Sequence, residues 1–171
     1  MKILVAYATK SGVTKMCANM LADRLEEFAD VVVCNLDGYD PGTMDYDCIV
    51  VGSSIRMGKI QKKARRYLAK NRVYLRAKPF AFFICNVYED DSKNYIHRNL
   101  YQDLDSRAIV TDSFGGELNP ENLHGSEKVA VKMLIKNVEK EGLDVKINEK
   151  AIDNFAKQIK IELKKSKKKK K

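Results

Sequence analysis

No stretch of this sequence approaches the roughly 20 consecutive apolar residues that a membrane-spanning helix requires. The apolar start, Met1 to Tyr7, has no small-residue cleavage site behind it. It reads as a first buried strand rather than a signal peptide, and the expected location is the cytoplasm. The four cysteines, at 17, 34, 48 and 85, contain no C-x-x-C pair, and no histidine stands at metal-ligand spacing. No metal site and no dithiol motif are therefore implied. Cys34, Cys48 and Cys85 fall in apolar strand-like runs and Cys17 in a helical pattern, so buried free thiols are expected. His97 and His124 are isolated, and structural roles are expected for both. Acid is missing from the end of the chain, where 164–171 holds seven lysines and Ser166. Of the formal net charge of +9, only +2 belongs to the rest. The basicity is therefore a tail, and nucleic-acid binding is not expected of the body. The tail is predicted to be disordered, since like charges repel and it holds nothing apolar to bury. It either solubilises the protein or touches an anionic surface, a peripheral membrane contact being one form of this.

What is present is alternation. With 171 residues, 44% of them apolar and 32% charged, the chain suits one well-buried core. The predicted strands are Ile3–Ala8, Val31–Cys34, Cys48–Gly52, Pro79–Cys85 and Ala108–Phe114. Helical periods fall between them: Met16, Met20, Leu21, Leu25 and Phe28; Ile60, Ala64, Tyr67 and Leu68; Ile96, Leu100 and Leu104. A last helix runs on Ile152, Phe155, Ala156, Ile159 and Leu163, with Asn148 as its N-cap. Between the fifth strand and that helix, 126–141 places Val129, Met133, Leu134 and Val138 on one face. Continuous apolar strands separated by amphipathic helices mean a parallel sheet covered on both faces. The expected fold is α/β: a doubly wound five-stranded sheet of order 2-1-3-4-5, with one extra helix after strand five. A single domain is assigned to 1–163, followed by the tail 164–171.

The sharpest local signal follows the first strand: Thr9-Lys10-Ser11-Gly12-Val13-Thr14. Backbone N–H groups converging at a helix start, a glycine that allows close approach and three hydroxyls suit a phosphate monoester. An ordinary helix cap would also favour Ser and Thr here. The loop lacks the Gly-Lys-Ser/Thr ending of a triphosphate loop and the G-x-G-x-x-G of a dinucleotide fingerprint, although Asp37 after strand two could mimic the latter's ribose-binding acid. A phosphoacceptor domain needs acids where Ala8-Thr9 and Gly52-Ser53 stand.

These residues carry a resemblance. Thr9 to Thr14 resembles the flavodoxin phosphate loop, [Thr/Ser]-x-[Thr/Ser]-Gly-x-Thr. The stretch Gly52-Ser53-Ser54-Ile55-Arg56-Met57-Gly58-Lys59 is similar to the matching loop of the menaquinone-dependent protoporphyrinogen IX dehydrogenase family, flavodoxin-like FMN proteins. The likeness continues through Phe83-Ile84-Cys85-Asn86-Val87, the extra helix and Asn154-Phe155-Ala156, and covers most of 1–163. It implies FMN, with Thr9, Lys10, Ser11, Gly12, Val13 and Thr14 at the phosphate. Ser53, Ser54, Ile55, Arg56, Met57 and Gly58 would lie on one side of the ring, and Asn86, Val87 and Tyr88 on the other. Tyr88 either stacks on the flavin or is a surface residue. No catalytic acid or base is assigned, because the flavin supplies the redox chemistry. One departure stands out: the family's loop before the extra helix is dense in Arg and aromatics, whereas Glu117 to Gly125 here is neutral to acidic. The function implied is an FMN oxidoreductase passing electrons from a porphyrinogen to a quinone. The alternative is a flavodoxin, a one-electron carrier between protein partners, to which Glu89-Asp90-Asp91 would contribute an acidic docking face.

Overall fold

A strand with helices on both sides can expose neither face, and the first strand shows this directly. In the computed structural model, which describes residues 1–87, 91–116, 125–142 and 145–169, β1 (Lys2–Ala8) is buried from Ile3 to Ala8. Its odd residues face one way and its even residues the other, because side chains alternate along a strand. Ile3, Val5 and Tyr7 enter one core and Leu4, Ala6 and Ala8 a second. The remaining elements are α1 (Val13–Glu26), β2 (Asp30–Asn35), β3 (Cys48–Arg56), β4 (Lys59–Ile60), α2 (Lys62–Ala77), β5 (Phe80–Cys85), α3 (Ser92–Asn99), α4 (Gln102–Asp105), β6 (Thr111–Ser113), α5 (Gly125–Glu141) and α6 (Glu149–Lys169).

The strands run β2-β1-β3-β5-β6, all parallel along this path, and β4 pairs antiparallel with β3. With the two-residue β4 set aside, this is the expected doubly wound order. Helices α1 and α6 cover one face through Cys17, Leu21, Leu25, Phe155 and Ile159. Helices α2, α3 and α4 cover the other through Ala64, Leu68, Leu75, Ile96 and Leu104. Removing a fully buried leucine or phenylalanine from such a core costs about 2–5 kcal/mol. Asn148 caps α6 as expected: its Oδ1 accepts the Ala151 N–H at 3.0 Å.

One glycine is set by space. A Cβ on Gly52 in β3 would lie 2.1 Å from the Phe83 ring, and that ring is stacked 4.4 Å from Phe114 and edge-on to Phe155.

Several expectations are corrected. The third helical period is two helices, α3 and α4, broken at Leu100 and Tyr101; Ile96, Leu100 and Leu104 are all buried nonetheless. The fifth strand is short, Thr111–Ser113. The lysine-rich end, expected to be disordered, continues α6 through Lys169. Lysine is a good helix former and is favoured at a helix C-terminus, and the Ser166 hydroxyl donates to the Glu162 carbonyl at 3.0 Å. Cys34 is half-buried rather than buried, because β2 is an edge strand; the other three thiols are buried and none is bonded. On α5, only Val138 of the expected apolar face is buried, while Val129 and Met133 are exposed. Among the described residues no helix is long and apolar enough to cross a membrane.

Candidate functional site

Strand register brings the predicted segments to one edge. Ala8 pairs with Ser53, Ser54 with Cys85, and Ile84 with Ser113. Thr9, Ile55, Asn86 and Phe114 therefore leave the sheet side by side at its carboxyl end, around the first and third strands where such folds hold ligands.

The loop after β1 turns into α1 at Gly12, whose φ of 96° is a left-handed conformation that glycine adopts without penalty. Thr9 shapes the turn by accepting the Gly12 N–H on Oγ1 at 3.1 Å. No side chain caps α1 and no acid stands in its first turn, so the positive end of the helix dipole is not neutralised locally. Lys10 is exposed, and Ser11 and Gly12 are half-buried. Thr14 is fully buried, and its hydroxyl has no hydrogen-bond partner among the described residues. The Cys85 thiol lies beside it without a bond of normal geometry. The neighbouring Cys17 side chain and burial hold the Cys85 thiol well above its usual range, so it stays protonated. An orphaned hydroxyl at the base of an uncapped helix start suits an anion with several acceptor oxygens.

The segment after β3, expected as a loop, is a strand extension and a hairpin. Ile55 pairs with Ile60 and Arg56 with Lys59, and Met57 and Gly58 make the turn with φ of 50° and 73°. Two positive φ values are what a tight hairpin of matching twist requires. Met57 sits at the tip, 93% exposed. Ser53 is fully buried and secures the hairpin base: Oγ donates to the Ser54 carbonyl and accepts the Gln61 N–H at 2.9 Å. Gln61 Nε2 donates to Ser54 Oγ at 3.0 Å. From α3, Asn99 donates to the Gly58 carbonyl at 2.8 Å and accepts the Ile60 N–H at 3.0 Å. Gln61 and Asn99 thus fix the hairpin, and sequence reasoning missed both, since a polar residue beside a helix gives no signal of a distant clamp.

After β5, Asn86 turns inward. It is buried, and its Oδ1 accepts from Ser113 Oγ at 2.6 Å and Ser92 Oγ at 3.3 Å. Its side chain ties β5, β6 and α3 together, and its N–H donates to the Gly115 carbonyl at 3.0 Å. Gly116 packs against it, a Cβ there lying 2.9 Å from the Asn86 carbonyl oxygen. Val87 is half-buried. Tyr88, Glu89, Asp90 and the segment 117–124, with His124, lie outside the described residues. His97 is exposed and lies 3.3 Å from Asp105. No His/Cys/Asp/Glu group among the described residues could hold a metal.

An uncapped phosphate-type loop and a clamped hairpin at the switch point of a doubly wound sheet define a flavodoxin-like architecture. The flavodoxin domain family matches residues 4–144, and the chain belongs to that family. Protoporphyrinogen IX dehydrogenase (quinone) of Escherichia coli K12 is 32% identical over 89 residues, 51% of this chain and 49% of that protein. The protein of the same name in Leishmania major is 33% identical over 105 residues, 58% of this chain and 45% of that one. The matches thus span about half the length of these relatives. Among solved structures, a flavodoxin from the domain Archaea superposes with a TM-score of 0.58 at 17% identity, covering 94% of this chain and 99% of that one. A Fusobacterium nucleatum flavodoxin variant bound to flavin mononucleotide superposes with a TM-score of 0.51 at 11% identity, covering 94% and 96%. At these identities the structural likeness speaks for the fold.

Proposed function

We propose that the protein is an FMN-dependent oxidoreductase that takes electrons from a porphyrinogen-type substrate and passes them to a quinone-type acceptor. The observation that carries the cofactor is the buried, partnerless Thr14 hydroxyl beneath the uncapped start of α1. A terminal phosphate would receive the first-turn N–H groups of α1 and the hydroxyls of Thr9, Ser11 and Thr14, with Lys10 adding positive charge from the rim. FMN bound there supplies the hydride and electron chemistry. This chain's own residues orient it: Ile55 and Met57 offer apolar contact from the hairpin, Arg56 brings a cation to the same rim, and Val87 lies on the opposite side. The clamps from Asn99 and Gln61 keep the hairpin in place. The choice of substrate and acceptor is supported by the identity with the two dehydrogenases, which reaches about half of each.

The test is anaerobic: the FMN-loaded protein with protoporphyrinogen IX and menadione, followed by porphyrin fluorescence. Catalytic appearance of protoporphyrin supports the reading. A loaded protein that leaves the porphyrinogen unchanged overturns the substrate while leaving FMN binding standing. A second reading, a carrier between proteins, is favoured by the neutral-to-acidic composition of Glu117 to Gly125, where basic and aromatic residues would suit a porphyrin. Rapid electron transfer from a flavin reductase to cytochrome c, with no turnover of porphyrinogen, would select it.

A further inference from the structure

Beside the phosphate-type loop, on the β2 side, a cavity of about 220 Å³ opens between the turn after β2 and the first turns of α2. The Leu36 N–H donates to the Tyr7 carbonyl at 2.9 Å, which fixes this turn against the end of β1. Asp37, Tyr39 and Asp40 line the cavity from the turn, and Lys63, Arg66 and Tyr67 from the helix.

Tyr67 is the informative residue. It is 3% exposed, and its hydroxyl is buried without a hydrogen-bond partner among the described residues. Its ring packs in the core with Leu36, Ala64 and Ile60, a role phenylalanine would fill equally well. An unmatched buried hydroxyl is a standing cost that a ligand would remove. Burial, with Asp40 nearby, pushes this phenol well above its usual range, so it holds its proton and can donate.

The charges are also uneven. Asp40 is paired with Lys70. Lys63, Arg66 and Asp37 have no ion pair among the described residues. Two cations therefore stand against one carboxylate, and Tyr39, 68% exposed, lines the cavity with them. A metal cation would meet repulsion from Lys63 and Arg66. A bare phosphate would use those two and leave Asp37 and the Tyr39 ring idle.

We propose that this cavity binds the phosphorylated ribose of a ribonucleotide, its phosphate on Lys63 and Arg66, its sugar hydroxyls on Tyr67 and Asp37, and its base against the Tyr39 ring. The volume agrees, being below the roughly 300 Å³ at which pockets for whole drug-sized ligands begin. One sugar phosphate fits inside, with the base at the surface. The site is separate from the flavin crevice and rests on no part of that reading.

The experiment is a heteronuclear NMR titration of the full chain with 5′-AMP, 2′-AMP and inorganic phosphate, run with FMN saturating and again without FMN. A failure to bind FMN therefore leaves this test intact. Saturable shifts confined to 37–40 and 63–67 are expected, with either nucleotide binding at least about tenfold tighter than phosphate. Arg66→Ala should weaken the nucleotide about tenfold, and Tyr67→Phe about threefold or more with an unchanged or higher melting temperature. The absence of saturable shifts up to about 10 mM nucleotide overturns the proposal. So does equal binding of inorganic phosphate, or nucleotide binding that both variants leave unaltered.

Discussion

Replacing Thr14 by valine separates a cofactor site from a packing accident, because the two accounts require changes of opposite sign. Valine has the shape of threonine without its hydroxyl. That hydroxyl is fully buried and has no hydrogen-bond partner among the described residues, and an unmatched buried polar group costs about 1–3 kcal/mol. Thr14→Val should therefore stabilise the FMN-free protein by up to that amount. If the same hydroxyl donates to a phosphate oxygen in the complex, FMN loses about 1–3 kcal/mol, a factor of roughly 5 to 150 in affinity. Urea unfolding of the FMN-free protein reads the first quantity, and titration calorimetry with FMN reads the second. Riboflavin, which has no phosphate, is the control: its affinity should be much weaker than that of FMN and unchanged by the substitution. A variant that is less stable without FMN, yet binds FMN as tightly as the wild type, would refute the phosphate role of Thr14.

Gly52→Ala places a methyl group 2.1 Å from a Phe83 ring already stacked on Phe114, and a destabilisation of about 1–3 kcal/mol in urea is expected. Burial raises the Asp112 carboxyl above its ordinary value, against the Ser113 N–H and Lys93. A carboxyl raised on folding adds stability that is complete below about pH 4, its unfolded range, and is lost as pH climbs through the folded value. Asp112→Asn should thus raise the melting temperature at pH 7 and lose that advantage below about pH 4; a lower melting temperature at pH 7 would contradict this. Arg56→Ala should make the potential of bound FMN more negative in anaerobic potentiometry, with Arg56→Lys intermediate, because a cation beside the ring favours its reduced, anionic form. A chain ending at Leu163 should keep its FMN affinity and lose at most about 0.5–1 kcal/mol, the contact of Lys164 over the Phe28 ring at 5.7 Å; a loss of several kcal/mol in urea would assign the helical end a structural role.

The sheet was legible because its signal is collective. Ile3 to Ala8 and Pro79 to Cys85 have no polar member, and only a strand covered on both faces tolerates that. The loop from Thr9 to Thr14 was legible because hydroxyls and a glycine stood between a strand and a helix. The hairpin was not. Ser53 to Arg56 mixes polar and apolar residues without alternation, and Met57 at the turn has a positive φ that its residue type does not announce. The break between α3 and α4 escaped for a different reason: Ile96, Leu100 and Leu104 keep the four-residue spacing of one helix although the path is interrupted. Periodicity reports which face is buried, not whether the backbone is continuous. Asn86 shows the same limit at the site, where its position pointed to the crevice but its side chain is spent on Ser113 and Ser92. The extra helix erred the other way, since the spacing of Val129 and Met133 implied a cover that the described residues do not provide.

The path of α6 bears on how the protein would meet a membrane. The helix starts at the carboxyl edge of the sheet, where the Asn148 N–H donates to the Phe114 carbonyl at 2.9 Å. By Lys164 it has reached the opposite edge, over Phe28, two residues before β2 begins. At about 1.5 Å per residue from Glu149, Lys164 stands on the order of 20 Å from the edge that carries Thr9, Arg56 and Asn86. An exposed charge acts over about 8–10 Å at physiological salt. A flat anionic surface that attracts the lysine end therefore meets the edge remote from the crevice. Electrostatic docking through that end and direct delivery of a bilayer quinone to the crevice are then incompatible in one orientation. If lysine-dependent binding to anionic vesicles is found, the acceptor has to be one that reaches the crevice from the aqueous side.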